Sequence, residues 1–224
     1  MKKHVISAMM LFTCIMFSQT KKNGTVYNEH PAINAVESMT QAFYAGDTDK
    51  VASYLADDFK SYQGTSLNKD DKGRDEEWFV GGVKWIKENW SYVSYTRSPG
   101  AYPDAIEYKG DSGIWVQTWD QLKGMDNATG VMLDMPQHRL YKMTSDNKIQ
   151  TMIIYDNDLP WAERSRSFAS RTNGTIYNNH EYINTVRKMM GALANGDADK
   201  AFGYFTDDAT FSNLDMADGE SHTV

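Results

Sequence analysis

The sequence is poor in the residues that mark several large classes of protein. It has one cysteine and five prolines among 224 residues, which excludes a disulfide framework, a zinc site built on several cysteines and a collagen-like chain. Its 23 lysines and arginines stand against 30 aspartates and glutamates, and this acidic balance argues against a nucleic-acid partner, which requires a basic face. The chain also lacks a glycine-rich phosphate loop and a His-Glu-x-x-His motif, so neither a cofactor nor a metal ion is expected.

The remaining composition is that of a folded and mildly acidic globular protein. Hydrophobic residues make up 41% of the chain and charged residues 24%, which is too apolar for intrinsic disorder. At about 150 residues per domain, the length predicts one or two domains. The net charge of −7 at neutral pH is compatible with a soluble protein.

The N-terminus has the order of a secretory signal peptide. Lys2 and Lys3 precede an apolar run of 13 residues, and small and polar residues follow the run. The run is shorter than the ~20 residues that a membrane helix needs. We therefore assign residues 1–20 to a signal peptide of bacterial type. We expect export to the periplasm or outside the cell, with no stable membrane anchor after cleavage. A buried first helix and a lipid anchor on Cys14 are the alternatives.

The chain contains an internal repeat with a period of 150 residues. Residues 23–58 recur without a gap as residues 173–208, and half of the positions are identical. A period of this length indicates domain duplication, because solenoid repeats are only about 20–50 residues long. The sequence thus predicts a first domain over 21–160, a linker over 161–172 and a truncated second copy over 173–224. The second copy holds only the opening helices of the unit, so we expect it to be poorly ordered alone or to lean on the first domain.

The hydrophobic periodicity of the first copy changes from helical to alternating near residue 93. Apolar residues at helical spacing predict three helices, of which the first carries Pro31 in its opening turn and ends at Gly46, and the second is capped by Asp47. Alternation then predicts five strands, near 92–97, 104–109, 113–123, 130–143 and 148–156. This order predicts an α+β fold. A cone-shaped, curved antiparallel sheet packs on three N-terminal helices, leaves a pocket at its open end, and is followed by an incomplete second copy.

Two segments of the first copy carry a family resemblance. The stretch AGDTDKVASYLADDF and the final strand DNKIQTMIIYD, in this order of elements, resemble the SnoaL-like branch of the nuclear transport factor 2-like superfamily. The resemblance covers nearly all of residues 25–157 and the second copy, and it implies the cone-shaped fold. That fold hosts polyketide cyclases, ketosteroid isomerases, dehydratases and many non-catalytic binders, so it does not set the function.

The resemblance argues against steroid isomerisation. In the ketosteroid isomerases of this superfamily, the carboxylate base corresponds to Gln63, whose amide cannot accept a proton near neutral pH. Their oxyanion-binding tyrosine corresponds to Met39, and their second donor, an acid, corresponds to a position near Arg139 or His138. All three groups are therefore missing or altered, and the second copy holds an asparagine and a methionine at the first two positions.

Asp134 and His138 are the candidate catalytic residues. They lie four residues apart on one predicted strand, so they share a face of the sheet. The SnoaL-like cyclases use an acidic residue with histidines nearby, which implies that a buried pair of this kind performs acid–base chemistry on a small carbonyl compound. The alternative is that both side chains lie on the outer face, because the apolar residues Leu133 and Met135 alternate with them.

A set of mostly aromatic side chains is the candidate lining of a ligand pocket. Trp115, Gln117 and Trp119 share one strand face, and the other members come from the third helix and from other strands. Such a set suits a flat apolar ligand, and the alternative is that these side chains fill the core. The complete set is Tyr62, Trp78, Trp85, Trp115, Gln117, Trp119, Arg139, Tyr141 and Met152.

The leading hypothesis is an exported protein that binds a small apolar or aromatic molecule and catalyses no reaction. The first alternative is a lyase or isomerase that uses the Asp–His pair. The second is an assembly module, in which the outer face of the sheet forms a homodimer or pairs the two copies of the unit. No metal site is predicted, because the one faint calcium-loop pattern carries Lys72 at a ligand position.

Overall fold

The computed structural model describes residues 23–110, 113–168, 179–212 and 222–223. The predicted signal peptide, the end of the predicted linker and the first residues of the second copy lie outside these ranges. The helices are α1 (Pro31–Ala45), α2 (Thr48–Ser53), α3 (Glu76–Asn89), α4 (Leu159–Arg166), α5 (Glu181–Ala194) and α6 (Ala198–Phe202). The strands are β1 (Gly24–Tyr27), β2 (Leu55–Gln63), β3 (Trp90–Arg97), β4 (Asp104–Tyr108), β5 (Ile114–Asp126), β6 (Met132–Met143), β7 (Ile149–Asp156), β8 (Thr210–Phe211) and β9 (His222–Thr223).

Local sequence signals set the ends of the first two helices. Helix α1 begins at Pro31, and the ring Nδ1 of His30 accepts a hydrogen bond of 3.1 Å from the Ala32 amide. It ends at Gly46, whose φ of +75° lies in the left-handed region that glycine adopts without strain. Asp47 then caps α2 by accepting from the Lys50 amide at 3.1 Å. The predicted roles of Pro31, Gly46 and Asp47 are confirmed.

The strands of the first unit form one curved, unclosed sheet. Its order is β1-β4-β5-β6-β7-β2, and β3 pairs with the second half of β5 beside β4. The five predicted strands are present, and the predicted α+β architecture is confirmed. One pair differs from the prediction, because β2 joins the far edge parallel to β7 while the other pairs are antiparallel. Register shifts in β3 and near the end of β6 bend the sheet.

The hydrophobic core lies between the concave face of the sheet and helices α1, α2 and α3. On β6 the odd-numbered residues from 133 to 143 are buried and the even-numbered ones are more exposed, as expected for a strand with one face on a core. The side chains that fill the core include Val36, Met39, Phe59, Val83 and Tyr141. The inward row of β6 becomes polar at Gln137 and Arg139, so the inner surface of the sheet has a polar region beside the apolar core.

The described part of the second copy consists of two helices, which contact the first unit, and the short antiparallel pair β8 and β9. The helices are capped as in the first copy, since Asp197 accepts from the Lys200 amide at 3.2 Å. The Tyr92 hydroxyl of β3 donates to Asp197 at 2.7 Å, and Gly191 of α5 lies against the sulfur of Met125. The described residues of this segment therefore pack against the first unit, and the division into two domains stays a prediction.

Helix α4 occupies the first part of the segment that the sequence predicted as a linker. Arg164 of this helix donates from Nε to the fully buried carboxylate of Asp126 at 2.6 Å. Burial raises the pKa of Asp126, but the hydrogen bonds from Arg164 and Thr129 outweigh burial and hold the pKa below its usual range. A polar residue of this segment therefore pairs with a buried charge. The prediction of a linker gave no sign of this role.

Neither a membrane helix nor a metal cluster occurs among the described residues. None of their helices has the length and apolar character needed to cross a bilayer. Within the same ranges, no group of three or more histidine, cysteine, aspartate or glutamate side chains is placed to hold a metal ion.

Candidate functional site

A cavity of about 990 Å³ lies at the open end of the cone, between α1, α3, α4 and the inner face of the sheet. Most of its wall is apolar or aromatic. The apolar wall is formed by Met39, Phe43, Trp78, Phe79, Trp85, Ile86, Leu122, Met152, Ile154 and Trp161. The polar part of the wall includes Tyr44, Ser61, Tyr62, Gln63, Gln137, Arg139 and Asp156.

Two adjacent glycines of α3 give the cavity part of its width. Gly81 and Gly82 both line it. A Cβ atom at Gly81 would have no neighbour within 4 Å, and one at Gly82 would approach only the ring of Phe43, at 3.9 Å. Asp75 caps the helix, because its carboxylate accepts from the Trp78 amide at 3.1 Å and so fixes the first turn beside the cavity. Larger side chains at the two glycines would enter space that is open in this structure.

Five of the nine predicted pocket residues line the cavity. Tyr62 and Met152 come from the neighbouring strands β2 and β7, and Trp78 and Trp85 come from α3. Arg139 comes from the inward row of β6. The helix and the sheet face each other across the cone, so residues that are far apart in the sequence meet at its mouth.

The other four predicted pocket residues lie elsewhere. Trp115, Gln117 and Trp119 are not part of the cavity wall, because the buried residues of that part of β5 are the alternate ones, Val116 and Thr118. The shared face of the three residues was predicted correctly, but it is the outer face. Tyr141 points inward and is fully buried in the core, so it does not reach the cavity.

Asp134 and His138 also lie on the outer face of the sheet, as the alternative interpretation proposed. Asp134 is exposed and forms an ion pair of 3.3 Å with Lys123. The His138 ring stacks against Trp119 at a centroid distance of 4.8 Å, and its Nδ1 lies 3.0 Å from the Thr118 carbonyl oxygen. Neither side chain lines the cavity. His138 instead lines an open groove of about 780 Å³ on the outer face, together with Trp119 and Tyr155, and Asp134 is not part of its lining.

A chain of hydrogen bonds connects the polar residues along one side of the cavity. Asp156 accepts from the Gln63 amide at 2.8 Å and from the Gln137 amide at 3.3 Å. Gln137 accepts in turn from the Arg139 guanidinium at 2.6 Å, and the same Nη2 atom donates to the Tyr44 hydroxyl at 2.8 Å. Each side chain is held by its neighbour, so this wall is preorganised for a polar group of a ligand.

Two tyrosines form an aromatic layer beside Arg139. The ring of Tyr44 stacks on that of Tyr95 at 4.7 Å, and the Tyr95 hydroxyl donates to the buried carboxylate of Asp120. Burial raises the pKa of both phenols, and the hydrogen bond and charge of Asp120 raise that of Tyr95 further. Both tyrosines therefore remain neutral near pH 7; the Tyr95 hydroxyl donates to Asp120, whereas the Tyr44 hydroxyl accepts from Arg139.

Several residues of this wall were not predicted from the sequence. By the resemblance, the helix tyrosine corresponds to Met39, whereas Tyr44, five residues further along α1, is the tyrosine of that helix that lines the cavity. Gln137 and Asp156 are absent from the predicted lining, since the sequence indicates only a strand-end turn at Asp156, and Trp161 falls in the predicted linker. One signal in the sequence could have identified Gln137. It lies two residues from Arg139 on β6, so both side chains belong to the same inward-facing row.

Comparisons with known proteins bear on the fold. No family model and no curated protein matches the sequence. A pinacolase from Penicillium brevicompactum is 9% identical, with 66% of this chain and 95% of that chain covered and a TM-score of 0.51. A nuclear transport factor 2-like protein from Burkholderia xenovorans LB400 is 14% identical, with 58% and 92% covered and a TM-score of 0.43.

A third solved structure also resembles this chain at low sequence identity. A protein with a ketosteroid isomerase-like fold from Catenulispora acidiphila is 15% identical, with 57% of this chain and 86% of that chain covered and a TM-score of 0.41. At such low identity the similarity concerns the fold and not the activity. The fold assignment rests on the pinacolase match, whose TM-score is 0.51. Together with the order of helices and strands, it shows that this chain shares the fold of that pinacolase, and this curved sheet packed on helices is what the resemblance to the nuclear transport factor 2-like superfamily implies.

Proposed function

We propose that this chain is an exported protein that binds a small apolar or aromatic molecule in the cavity at the open end of its cone. The observation that carries the proposal is the cavity itself, of about 990 Å³, with an aromatic wall and a polar group of residues at one side. Ligand sites in proteins are typically clefts of about 300–1,000 Å³ with mostly apolar walls and a few placed polar groups.

The aromatic wall favours a flat ligand. Trp85 and Trp161 lie with ring centroids 6.5 Å apart and both face the cavity, together with Trp78 and Phe43. Burial of about 200 Å² of apolar ligand surface contributes about 5 kcal/mol before the cost of association is subtracted. The apolar wall therefore supplies affinity, and the polar side determines the orientation of the ligand.

Export rests on the N-terminal sequence. Two lysines, an apolar run and a polar segment follow one another in residues 1–20. The only cysteine, Cys14, lies in this segment, so the mature protein would contain no thiol. The proposed ligand would then be met outside the cytoplasm.

The alternative functions concern the outer face of the sheet. Acid–base catalysis by Asp134 and His138 stays a prediction, and the ion pair of Asp134 with Lys123 places that carboxylate in solvent. Pairing of two outer faces also stays a prediction, and the stacked rings of Trp119, His138 and Tyr155 would be its centre. The enclosed volume inside the cone favours ligand binding over both.

The test fills the cavity without disturbing the core. In the Gly82→Leu variant the new side chain enters the open space beside Phe43, and leucine favours a helix over glycine by about 0.8 kcal/mol. We expect the affinity for 2-naphthamide, a flat neutral probe, to fall at least about tenfold while the unfolding midpoint stays or rises. Quenching of tryptophan fluorescence measures binding, because Trp78, Trp85 and Trp161 line the cavity.

A matched control adds the same side chain elsewhere on the same helix. The side chain of Lys84 points to solvent, so Lys84→Leu should leave binding unchanged. The proposal is wrong if the wild-type chain binds neither this probe nor its carboxylate analogue 2-naphthoate, or if Gly82→Leu binds the probe as tightly as the wild type does.

A further inference from the structure

Arg139 is a buried cation in the wall of the cavity. Its side chain comes from the inward row of β6, and the residue is 7% exposed. It lies at the side where the polar chain of residues ends, across from the tryptophans of α3 and α4. A buried guanidinium is stable only when its charge and its donors find partners.

The hydrogen bonds of Arg139 leave part of the guanidinium without a partner. Both of its bonds come from Nη2, to the Tyr44 hydroxyl and the Gln137 carbonyl oxygen, and the buried Nε has none. Within the described ranges, no carboxylate oxygen lies within 4.0 Å of the group. The charge of Arg139 therefore has no direct anionic partner in this part of the chain.

The nearest acidic side chains of the cluster are engaged by other donors. Asp156 accepts from the amides of Gln63 and Gln137, and Asp120 accepts from the Tyr95 hydroxyl. The tyrosine rings orient the guanidinium without neutralising it, since its central carbon lies 5.2 Å from the Tyr95 centroid. The arrangement holds the cation in place and keeps these two carboxylates occupied.

We propose that the ligand of this cavity carries a carboxylate that binds to Arg139, while its flat apolar body lies against the tryptophan wall. This inference rests on the proposed function and specifies its ligand class. The planar guanidinium presents parallel N–H groups that match the two oxygens of a carboxylate, and such charge-assisted pairs are stronger than neutral hydrogen bonds. A neutral ligand would leave the buried charge of Arg139 without a partner.

The experiment compares two probes of nearly equal shape on the full chain. 2-Naphthoate carries a carboxylate, and 2-naphthamide replaces it with a neutral amide. We expect the wild-type protein to bind the naphthoate at least about tenfold more tightly than the amide. A tenfold ratio is at the lower end of what a hydrogen bond to a charged group contributes in a buried site. Isothermal titration calorimetry at pH 7 measures both affinities.

Substitutions of Arg139 test whether this residue causes the preference for the naphthoate over the amide. Arg139→Met should reduce the ratio of the two affinities to about one while the amide still binds. Lys123→Met, which removes a cation from the outer face of the sheet, should leave the ratio unchanged. Arg139→Lys provides a second variant in case the methionine does not fold, and its ratio should fall because an ammonium lacks the guanidinium fork.

The outcomes separate this inference from the proposed function. Equal binding of the two probes by the wild type overturns the inference and leaves small-molecule binding in place. A preference for the naphthoate that survives both substitutions of Arg139 also overturns it. If neither probe binds, the proposed function fails, and the inference fails with it.

Discussion

Helices α1 and α5 are two copies of one sequence pattern in very different surroundings. They lie 150 positions apart in the repeat and have similar lengths. Val36 of α1 is 1% exposed, whereas its equivalent Val186 in α5 is 56% exposed. Ala32 is fully buried, and its equivalent Tyr182 is 71% exposed. The difference arises because the curved sheet covers α1, while the described residues place no such sheet over the same face of α5.

The contact between paired helices is the same in both copies. Ala42 and its equivalent Ala192 are both buried, and so are Val51 and its equivalent Ala201. These residues lie where each long helix meets the short helix that follows it. Local packing therefore repeats with the sequence, whereas burial against the sheet does not.

Helix α5 uses a different face for its contact with the first unit. Gly191 is buried against Met125, but the equivalent residue of α1, Gln41, is exposed. A glycine at this position allows the helix to approach the end of the sheet closely. The divergence of the two copies at this position agrees with their different surroundings.

The largest difference in the free energy of unfolding should appear when an aspartate replaces each of the two equivalent valines in turn. Val36→Asp buries an unpaired carboxylate and should cost about 3 to 5 kcal/mol in the free energy of unfolding. Val186→Asp places the same group in solvent and should change it by less than about 0.5 kcal/mol. Urea unfolding monitored by tryptophan fluorescence measures both. Similar losses in the two variants would show that the face of α5 is covered.

A smaller effect should follow when the residue of one helix is placed in the other. Gly191→Gln introduces a side chain that collides with Met125 and Met132, and should weaken the contact of α5 by about 1 to 3 kcal/mol, the usual cost of overpacking. Methyl NMR of the methionines should show the change at these two residues.

The reverse substitution is the control. Gln41→Gly should lower stability by about 1 kcal/mol through helix propensity alone and leave the methyl signals of Met125 and Met132 in place. Unchanged signals in Gly191→Gln would contradict the observed contact.

The smallest expected effect is the loss of the contact between Tyr92 and Asp197 at low pH. The hydrogen bond from Tyr92 holds the pKa of Asp197 below its usual range, while burial and then Asp197 raise the pKa of Tyr92 to about 12. A lowered carboxyl pKa stabilises the folded contact above the ordinary aspartate pKa of about 3.9 and ceases to do so as the pH falls through the lowered value. We therefore expect α6 to loosen below about pH 4.

Hydrogen exchange of the backbone amides of α6 as a function of pH measures this loosening. In Tyr92→Phe the acid dependence should weaken, because the largest cause of the lowered pKa of Asp197 is absent while the hydrogen bond from the Lys200 amide remains. The equivalent cap Asp47 accepts from the Lys50 amide, so α2 provides an internal reference. The same acid dependence in Tyr92→Phe and wild type would count against the role of this hydrogen bond.

Much of the fold was predictable because its signals are local. Pro31, Gly46 and Asp47 act within one helical turn, and alternation along β6 depends only on the period of a strand. The parallel pairing of β2 with β7 was not predictable in this way, because it joins segments about 90 residues apart.

The candidate site was predicted only in part. The sequence shows that Trp115 and Trp119 share a face, but not which face of the strand the helices cover. The same limitation applies to Asp134 and His138, whose period-2 spacing is equally compatible with the inner and the outer side. Tyr44 became part of the site because α1 brings it to Arg139, nearly 100 positions away.

The amino-acid sequence alone determined the first three helices, the caps at Gly46 and Asp47, the adjacent pairing of strands joined by hairpins and the repeat, because each depends on neighbouring residues or on direct identity between segments. Only the tertiary structure decided which side of the sheet encloses the cavity, that Tyr44 meets Arg139 in its wall, and that the two copies of one helix differ in burial. These properties depend on contacts between distant segments, which the period of a strand or helix does not specify.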